Sequence, residues 1–387
     1  MNPLDGLRDD LEMRKAQGLY RTRRVNEGPQ GVLLQCDGRA LLSFCSNDYL
    51  GLANDPRLAE AVQAGARRYG TGSGAAHLVS GHSLAHHLLE EELAELLGAE
   101  RALLFSTGYM ANLGVLSALL GRGDTLLQDK LNHASLIDGA AQCGARLRRY
   151  RHADMPGLER LLAGAEGKVL VASDGVFSMD GDLAPVSEMA GLASRHEAAL
   201  MIDDAHGFGV LGERGRGSVA AAGMGFTQVP VYMATLGKGL GTAGAFVAGS
   251  GDLVETLIQR ARTYVYTTAM PAALAEATRA SLRIMAEEQW RRDHLQLLVQ
   301  RFRTGAHALG LELMASSTPI QPILLGDAQT ALRWSRELLR QGILVTAIRP
   351  PTVPRGGARL RVTLSAAHRP EQVDRLLDAL RPLAEVS

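Results

Sequence analysis

Met233-Ala-Thr-Leu-Gly-Lys-Gly-Leu-Gly241 continues the strand-like Val231-Tyr232 and sets Lys238 between two glycines. A tight turn at a strand end lets a four-carbon ammonium stem reach into a cleft, a placement suited to a Schiff base. A solvated surface charge is the plain alternative for any lysine. A phosphate-binding P-loop is excluded. That motif needs glycine five residues before its Gly-Lys and Ser or Thr after the lysine, and here Tyr232 and Gly239 stand at those positions.

Outward from this turn, strands and helices alternate. Strands are predicted near 101–105, 124–128, 146–150, 168–173, 198–203, 231–235 and 243–248, with helical segments between most of them. The alternation predicts an α/β fold, a mainly parallel, helix-covered sheet of about seven strands. Before it come an amphipathic helix over 3–18, a hairpin over 32–44 turning at Asp37-Gly38, and helices over 56–69 and 84–97. After it, one long helical stretch is expected from Pro271 to about 309. A smaller α/β lobe follows, with strands near 320–325, 343–347 and 358–364 and helices over 328–340 and from Pro370. The expected division is an N-terminal segment 1–50, a large domain 51–285 and a small C-terminal domain 286–387.

A chain of 387 residues, 46% hydrophobic and 21% charged, carries a sizeable core. Its 41 basic and 41 acidic residues cancel, which removes the broad attraction that nucleic acid or an anionic membrane would use. Small molecules are the expected partners. Cys36, Cys45 and Cys143 show neither CxxC nor metal-ligand spacing, so no disulfide framework or zinc site is expected and a reducing cytoplasm fits. No secretory signal is visible over 1–24. The uncharged run 102–121 is as long as a membrane span. Ser106, Thr107, Asn112 and two internal glycines break it into strand, turn and helix. His82, His86 and His87 match no common ligand set and read as a solvated face of the 84–97 helix; no metal is expected.

Ligands of such sheets bind at the carboxyl ends of the strands. Leu103-Leu-Phe105 runs into Ser106-Thr-Gly-Tyr109, whose amides open a helix and can cradle a phosphate. Ala199-Leu-Met-Ile202 ends in Asp203-Asp-Ala-His206, and a carboxylate buried there needs a cationic partner. Thr235 can donate its hydroxyl to the same phosphate. Arg21, within Arg21-Thr-Arg-Arg24, is either a solvated charge or an anion contact.

In this order the residues resemble the pyridoxal-phosphate-dependent α-oxoamine synthases, from about Arg21 to His368. The resemblance is carried by Ser46-Asn-Asp-Tyr-Leu-Gly51, Gly72-Ser-Gly74, Asp174-Gly-Val-Phe-Ser-Met-Asp-Gly181, Asp203-Asp-Ala-His-Gly207 and Thr235-Leu-Gly-Lys238. It departs at Ala76-His77, where many relatives carry Ser-Arg. The resemblance implies a fold-type I transferase, a homodimer with a shared site, and pyridoxal 5'-phosphate on Lys238. Asp203 would hold the pyridine nitrogen, His206 and Ser178 the ring hydroxyl, and His133 the ring face. Gly108, Tyr109 and Thr235 would hold the phosphate, with Thr267 and Thr268 reaching the partner's. Arg361 would take the amino-acid carboxylate; Arg21, Asn47 and Thr352 would face the acyl donor. Thr346-Ala-Ile-Arg-Pro-Pro-Thr-Val-Pro354 and Ala358-Arg-Leu-Arg361 are most similar to members that join L-alanine to a pimeloyl thioester in biotin synthesis, the donor carried on coenzyme A or an acyl carrier protein. The alternatives are a relative joining glycine to acetyl-coenzyme A and a non-catalytic binding protein on the same scaffold.

Overall fold

In a computed structural model, residues 2–17 and 19–385 are described. Seven strands form the central sheet in the order 101–105, 245–249, 231–235, 199–203, 169–174, 125–129, 146–150. Ala245–Gly249 runs antiparallel to both of its neighbours and the other pairings are parallel. The inner parallel strands are largely apolar because helices cover both faces, while the edge strand Arg146–Tyr150 carries three arginines. Alternate residues divide between two cores: Leu127, Val171, Leu200 and Ile202 face the helices 84–97, 155–163, 186–195 and 272–287. Leu126, Leu170, Ala172 and Met201 face 108–119, 134–143 and 251–260. The run 102–121 forms the strand Arg101–Phe105 and the helix Gly108–Leu119. No helix among the described residues is long and apolar enough to cross a membrane.

Parallel register brings function to one edge. Asp174 lies opposite Asp203, and Asp203 opposite Met233, so the carboxyl ends of three neighbouring strands line up beside the Lys238 turn. Gly241 closes that turn with φ +66, and a Cβ there would come within 2.4 Å of the Ala53 amide, so only glycine fits.

The expected hairpin forms, Leu33–Cys36 with Arg39–Ser43, turning at Asp37 and Gly38 with φ of 52 and 70. What periodicity did not reveal is its partner: Ile343–Leu344 adds to Arg39–Ser43 in parallel. Leu42, Phe44 and Tyr49 accordingly pack with Leu295, Phe302, Trp334, Leu360 and Leu376 in the core of the C-terminal lobe. In that lobe Ala358–Thr363 lies between Ile320–Gly326 and Thr346–Ile348.

The single helix expected from Pro271 is two, Ala272–Glu287 and Gln289–Ala308. No glycine or proline marks the break. Glu288 leaves helical geometry with its carboxylate bound by Arg57 (2.6 Å) and Arg291 (2.7 Å), while the buried Arg291 also donates to the Leu50 carbonyl. The break redirects the chain from the core of Met285 to that of Leu295. Near the N-terminus the helix is shorter than expected, Leu7–Ala16, and none of its residues is buried.

Candidate active site

One cavity of about 180 Å³ opens at the carboxyl edge of the sheet, and Gly108, Tyr109, His133, Asp203, His206, Thr235 and Lys238 all line it. Three further polar residues of the lining, Asn112, Ser135 and Asp174, carried no expected role.

Lys238 Nζ lies 2.7 Å from His206 Nε2, and His206 Nδ1 lies 2.5 Å from the Tyr49 hydroxyl. Burial, with the charges of Lys238 and Arg361, holds His206 well below the usual histidine range, so it is neutral. An ammonium donating to Nε2 then leaves the ring proton on Nδ1, facing Tyr49. The Tyr49 hydroxyl donates in turn to Asn47 Oδ1 (3.2 Å), which also accepts from Arg361. Burial lowers Lys238 to about 8; Asp203 and Asp174 pull it back up and Arg361 pushes it down. Burial also raises Tyr49 to about 12, so it stays a phenol.

The buried Asp203 accepts from Asn112 Nδ2 (2.7 Å) and the Ala205 amide (3.0 Å), both neutral donors. Among the described residues it forms no ion pair. Beside it, burial and the charge of Asp203 raise Asp174 well above the carboxylate range. Asp174 accepts the His133 amide (3.1 Å), fixing the residue that caps Ala134–Cys143. Asp204 turns away from the cavity, accepting from Ser218 N (2.7 Å) and the Tyr232 hydroxyl (2.7 Å). A Cβ at Gly217 would fall 1.9 Å from its carboxylate.

Thr107 caps Gly108–Leu119 by accepting the Met110 amide, and the amides of Gly108 and Tyr109 open the helix with no acceptor inside it. The Tyr109 hydroxyl donates to Asp138. Thr235 holds the Lys238 turn, donating to the Gly244 carbonyl (3.0 Å) and accepting the Gly237 amide (3.3 Å).

The other expected residues lie outside this lining. The buried Arg361 donates to the Ser178 carbonyl (2.6 Å), Thr363 Oγ1 (3.0 Å) and Asn47 Oδ1 (3.2 Å). Ser178 thus meets the site through its carbonyl, and Val176 of the same loop lines the cavity. Arg21 and Thr352 line a separate groove of about 830 Å³, together with Lys15, Arg24, Arg336 and Arg349, and among the described residues no carboxylate lines it. Thr268 lies across the mouth of the Gly72-Ser-Gly74 loop with Ser106 and Gly244; Thr267, beside it, is half-buried.

The histidines of the 84–97 helix require a correction: only His87 is solvated. His86 is buried, its Nδ1 accepting the Ser83 amide (3.0 Å) and its Nε2 donating to the Met270 carbonyl (2.7 Å). His77 and His82 meet through their Nδ1 atoms (2.9 Å). The cluster anchors the segment that carries Thr267 and Thr268.

Pyridoxal phosphate fits these residues on two observations. The buried Asp203 carboxylate has neutral partners only, so a protonated pyridine nitrogen supplies the cation it needs. The helix opening at Gly108 presents free amides to a phosphate in the same cavity as the desolvated lysine.

Comparison with known proteins agrees. Residues 39–380 match the family model described as aminotransferase class I and II. The chain is 62% identical to the 8-amino-7-oxononanoate synthase of Nitrosococcus oceani over 96% of this chain and 99% of that one. Among solved structures it is similar to a serine palmitoyltransferase variant from S. paucimobilis with a bound PLP–myriocin aldimine (TM-score 0.93, 29% identity, 99% of this chain and 97% of that one). It is also similar to the 8-amino-7-oxononanoate synthase of Francisella tularensis (TM-score 0.78, 32% identity, 89% and 98%).

Proposed function

The chain belongs to the 8-amino-7-oxononanoate synthases, within the class I and II aminotransferase family, and on that premise we propose how its residues carry out the reaction. The protein is a pyridoxal-phosphate-dependent acyltransferase that condenses L-alanine with a pimeloyl thioester, giving 8-amino-7-oxononanoate, carbon dioxide and free thiol in biotin synthesis. The observation that carries the residue roles is the meeting, in one cavity, of a desolvated lysine and a buried carboxylate that has only neutral hydrogen-bond donors among the described residues.

Bound there, pyridoxal phosphate supplies an electron sink that stabilises negative charge at the amino-acid Cα before acylation and again after decarboxylation. Asp203 keeps a proton on the pyridine nitrogen, oriented by Asn112 and the Ala205 amide. Lys238 takes the Cα proton of alanine and returns one to the product carbon; a pKa of about 8 leaves a fraction of free amine at neutral pH. His206, tied to Tyr49, aims Lys238 and meets the ring hydroxyl, to which Ser178 is the second expected neighbour. His133 covers the ring face; Gly108, Tyr109 and Thr235 grip the phosphate. Arg361 turns its fork to the alanine carboxylate. Arg21, Asn47 and Thr352 receive the acyl donor, and the cationic groove suits the terminal carboxylate of a pimeloyl chain and an anionic carrier, coenzyme A or an acyl carrier protein.

We place the protein in the cytoplasm as a homodimer, with Thr267 and Thr268 of each protomer reaching the other's phosphate. Residues 51–285 form the cofactor domain and 286–387 the small domain, to which the hairpin of 1–50 is joined.

Two results follow. Attachment of the cofactor to apoprotein requires the neutral amine. The group is protonated below about 8 and free above it, so the rate of borohydride-trappable attachment rises through that pH. A rate flat from pH 6 to 9 contradicts the placement of Lys238. In a direct competition, L-alanine with a pimeloyl thioester is turned over at least about a hundredfold better in kcat/KM than glycine with acetyl-coenzyme A, ~2.7 kcal/mol. Equal turnover removes the assignment and leaves the wider family. Thr352→Val lowers kcat/KM for the pimeloyl donor by roughly tenfold, ~1.4 kcal/mol, and leaves alanine affinity unchanged, since Arg361 holds that carboxylate.

A further inference from the structure

His152 lies just beyond the outermost strand Arg146–Tyr150, outside the catalytic cavity, with its ring between two carboxylates. Nδ1 is 3.2 Å from both oxygens of Asp129, at the end of Thr125–Asp129, and Nε2 is 2.7 Å from Asp182 Oδ2. Phe177 packs edge-on against the imidazole, centroids 4.4 Å apart at 87°. A neutral imidazole has one N–H and serves one of these carboxylates; an imidazolium has two and serves both. Asp129 is buried and already accepts the amides of Leu131 (2.8 Å) and Ala153 (2.8 Å), and Asp182 Oδ1 is buried without a partner. Loss of the charge on the ring would therefore leave a desolvated carboxylate uncompensated.

The two carboxylates belong to the loops that flank the cavity. Asp129 begins the turn that delivers His133. Asp182 closes the loop after Val169–Asp174: its carbonyl accepts the Phe177 amide (3.0 Å), and between them Ser178 offers the carbonyl on which Arg361 Nε rests (2.6 Å). Asp180 of the same loop is ion-paired with Arg359, two residues from Arg361 on Ala358–Thr363.

We infer that His152 is a positioning residue, an imidazolium clamp that ties the His133 turn to the Ser178 loop and so sets where Arg361 presents its fork to the amino-acid carboxylate. The inference rests on the proposed role of Arg361.

Three carboxylates act on the ring, Asp129 from its strand and Asp182 and Asp180 from the loop; Arg359 bears on it only through Asp180, and Tyr150 only through Asp129. Burial alone would lower His152, but the hydrogen bonds and charges of Asp129 and Asp182 outweigh it and raise it to about 10. The folded value lies above the unfolded one, so the ring stays charged through neutral pH, and the clamp's contribution to stability is full below about 6.5 and is lost as pH rises through about 10.

The test uses the holoenzyme labelled with 15N-histidine. Both ring nitrogens of His152, assigned by their loss in His152→Gln, should remain protonated from about pH 6 to 9; titration near 6.5 overturns the clamp. On the same protein, His152→Gln should weaken L-alanine binding by roughly tenfold, the scale of coupling within one hydrogen-bond network. Its pyridoxal phosphate dissociation constant should stay within about threefold of the parent's. Unchanged alanine affinity, or equal losses for both ligands, refutes the positioning role. Should His152→Gln fail to fold, Asp182→Asn replaces it: there the His152 titration midpoint should fall by more than about one unit, and an unmoved midpoint counts against the clamp. If the parent holoenzyme binds no alanine at all, the role of Arg361 fails, and the ring titration still judges the clamp.

Discussion

Lys238→Ala should fold and still hold pyridoxal phosphate by its phosphate grip, yet lose turnover by about three decades or more, ~4 kcal/mol of transition-state stabilisation. Two functions leave with one amine: the covalent anchor of the cofactor and the base at the alanine Cα. The fold should survive because, among the described residues, Nζ hydrogen-bonds to His206 alone, whose other nitrogen stays on Tyr49. The assignment has a clean chemical readout. Of the four lysines in the chain, Lys15, Lys130 and Lys168 are exposed, and only Lys238 stands in the cavity. Borohydride reduction of the holoenzyme followed by peptide mapping should place the label on Lys238 and leave the variant unlabelled. A label on Lys130 or Lys168, or a variant within about tenfold of the parent, would overturn the role.

Asp203→Asn is the second large effect. The amide fills the same space, and the neighbourhood can accommodate it: Asn112 Oδ1 is buried without a partner, so a flip of Asn112 offers an acceptor to the new amide nitrogen. What cannot be restored is the charge against the pyridine nitrogen. Losing one member of a buried charge pair costs roughly 3 to 5 kcal/mol, about two to four decades when it falls on the transition state. The variant should bind pyridoxal phosphate with a changed absorption spectrum while its thermal midpoint moves little. Activity within about threefold of the parent would show that Asp203 does not face the ring.

Much of the fold was legible because both local signals pointed the same way. Apolar runs of strand length alternated with capped helices, and all seven central strands lie within two residues of the expected bounds. Strand-end motifs such as Asp203 to His206 and the Lys238 turn carried the cavity with them, since parallel register aligns the carboxyl ends of neighbouring strands. Other features depend on contacts distant in sequence. Nothing near Glu288 announces a break, because its cause is Arg57, some 230 residues away. Tyr49, Asn112 and Asp174 complete the site through partners 157, 91 and 41 residues distant. Tyr49 and Asp174 stood inside quoted motifs, yet spacing alone assigned neither a partner. His86 was misread for the same reason: its partner is the Met270 carbonyl, and helical periodicity contains no trace of it.

The central claim is a decarboxylative condensation, and carbon accounting tests it most directly. Purified protein, pyridoxal phosphate and a pimeloyl thioester are incubated with L-alanine labelled with 13C in its carboxyl group. Labelled carbon dioxide, free thiol and product are then quantified by mass spectrometry. The expected result is labelled carbon dioxide released in step with thiol, and unlabelled 8-amino-7-oxononanoate. Thiol released without carbon dioxide, or a product that keeps the label, would contradict it.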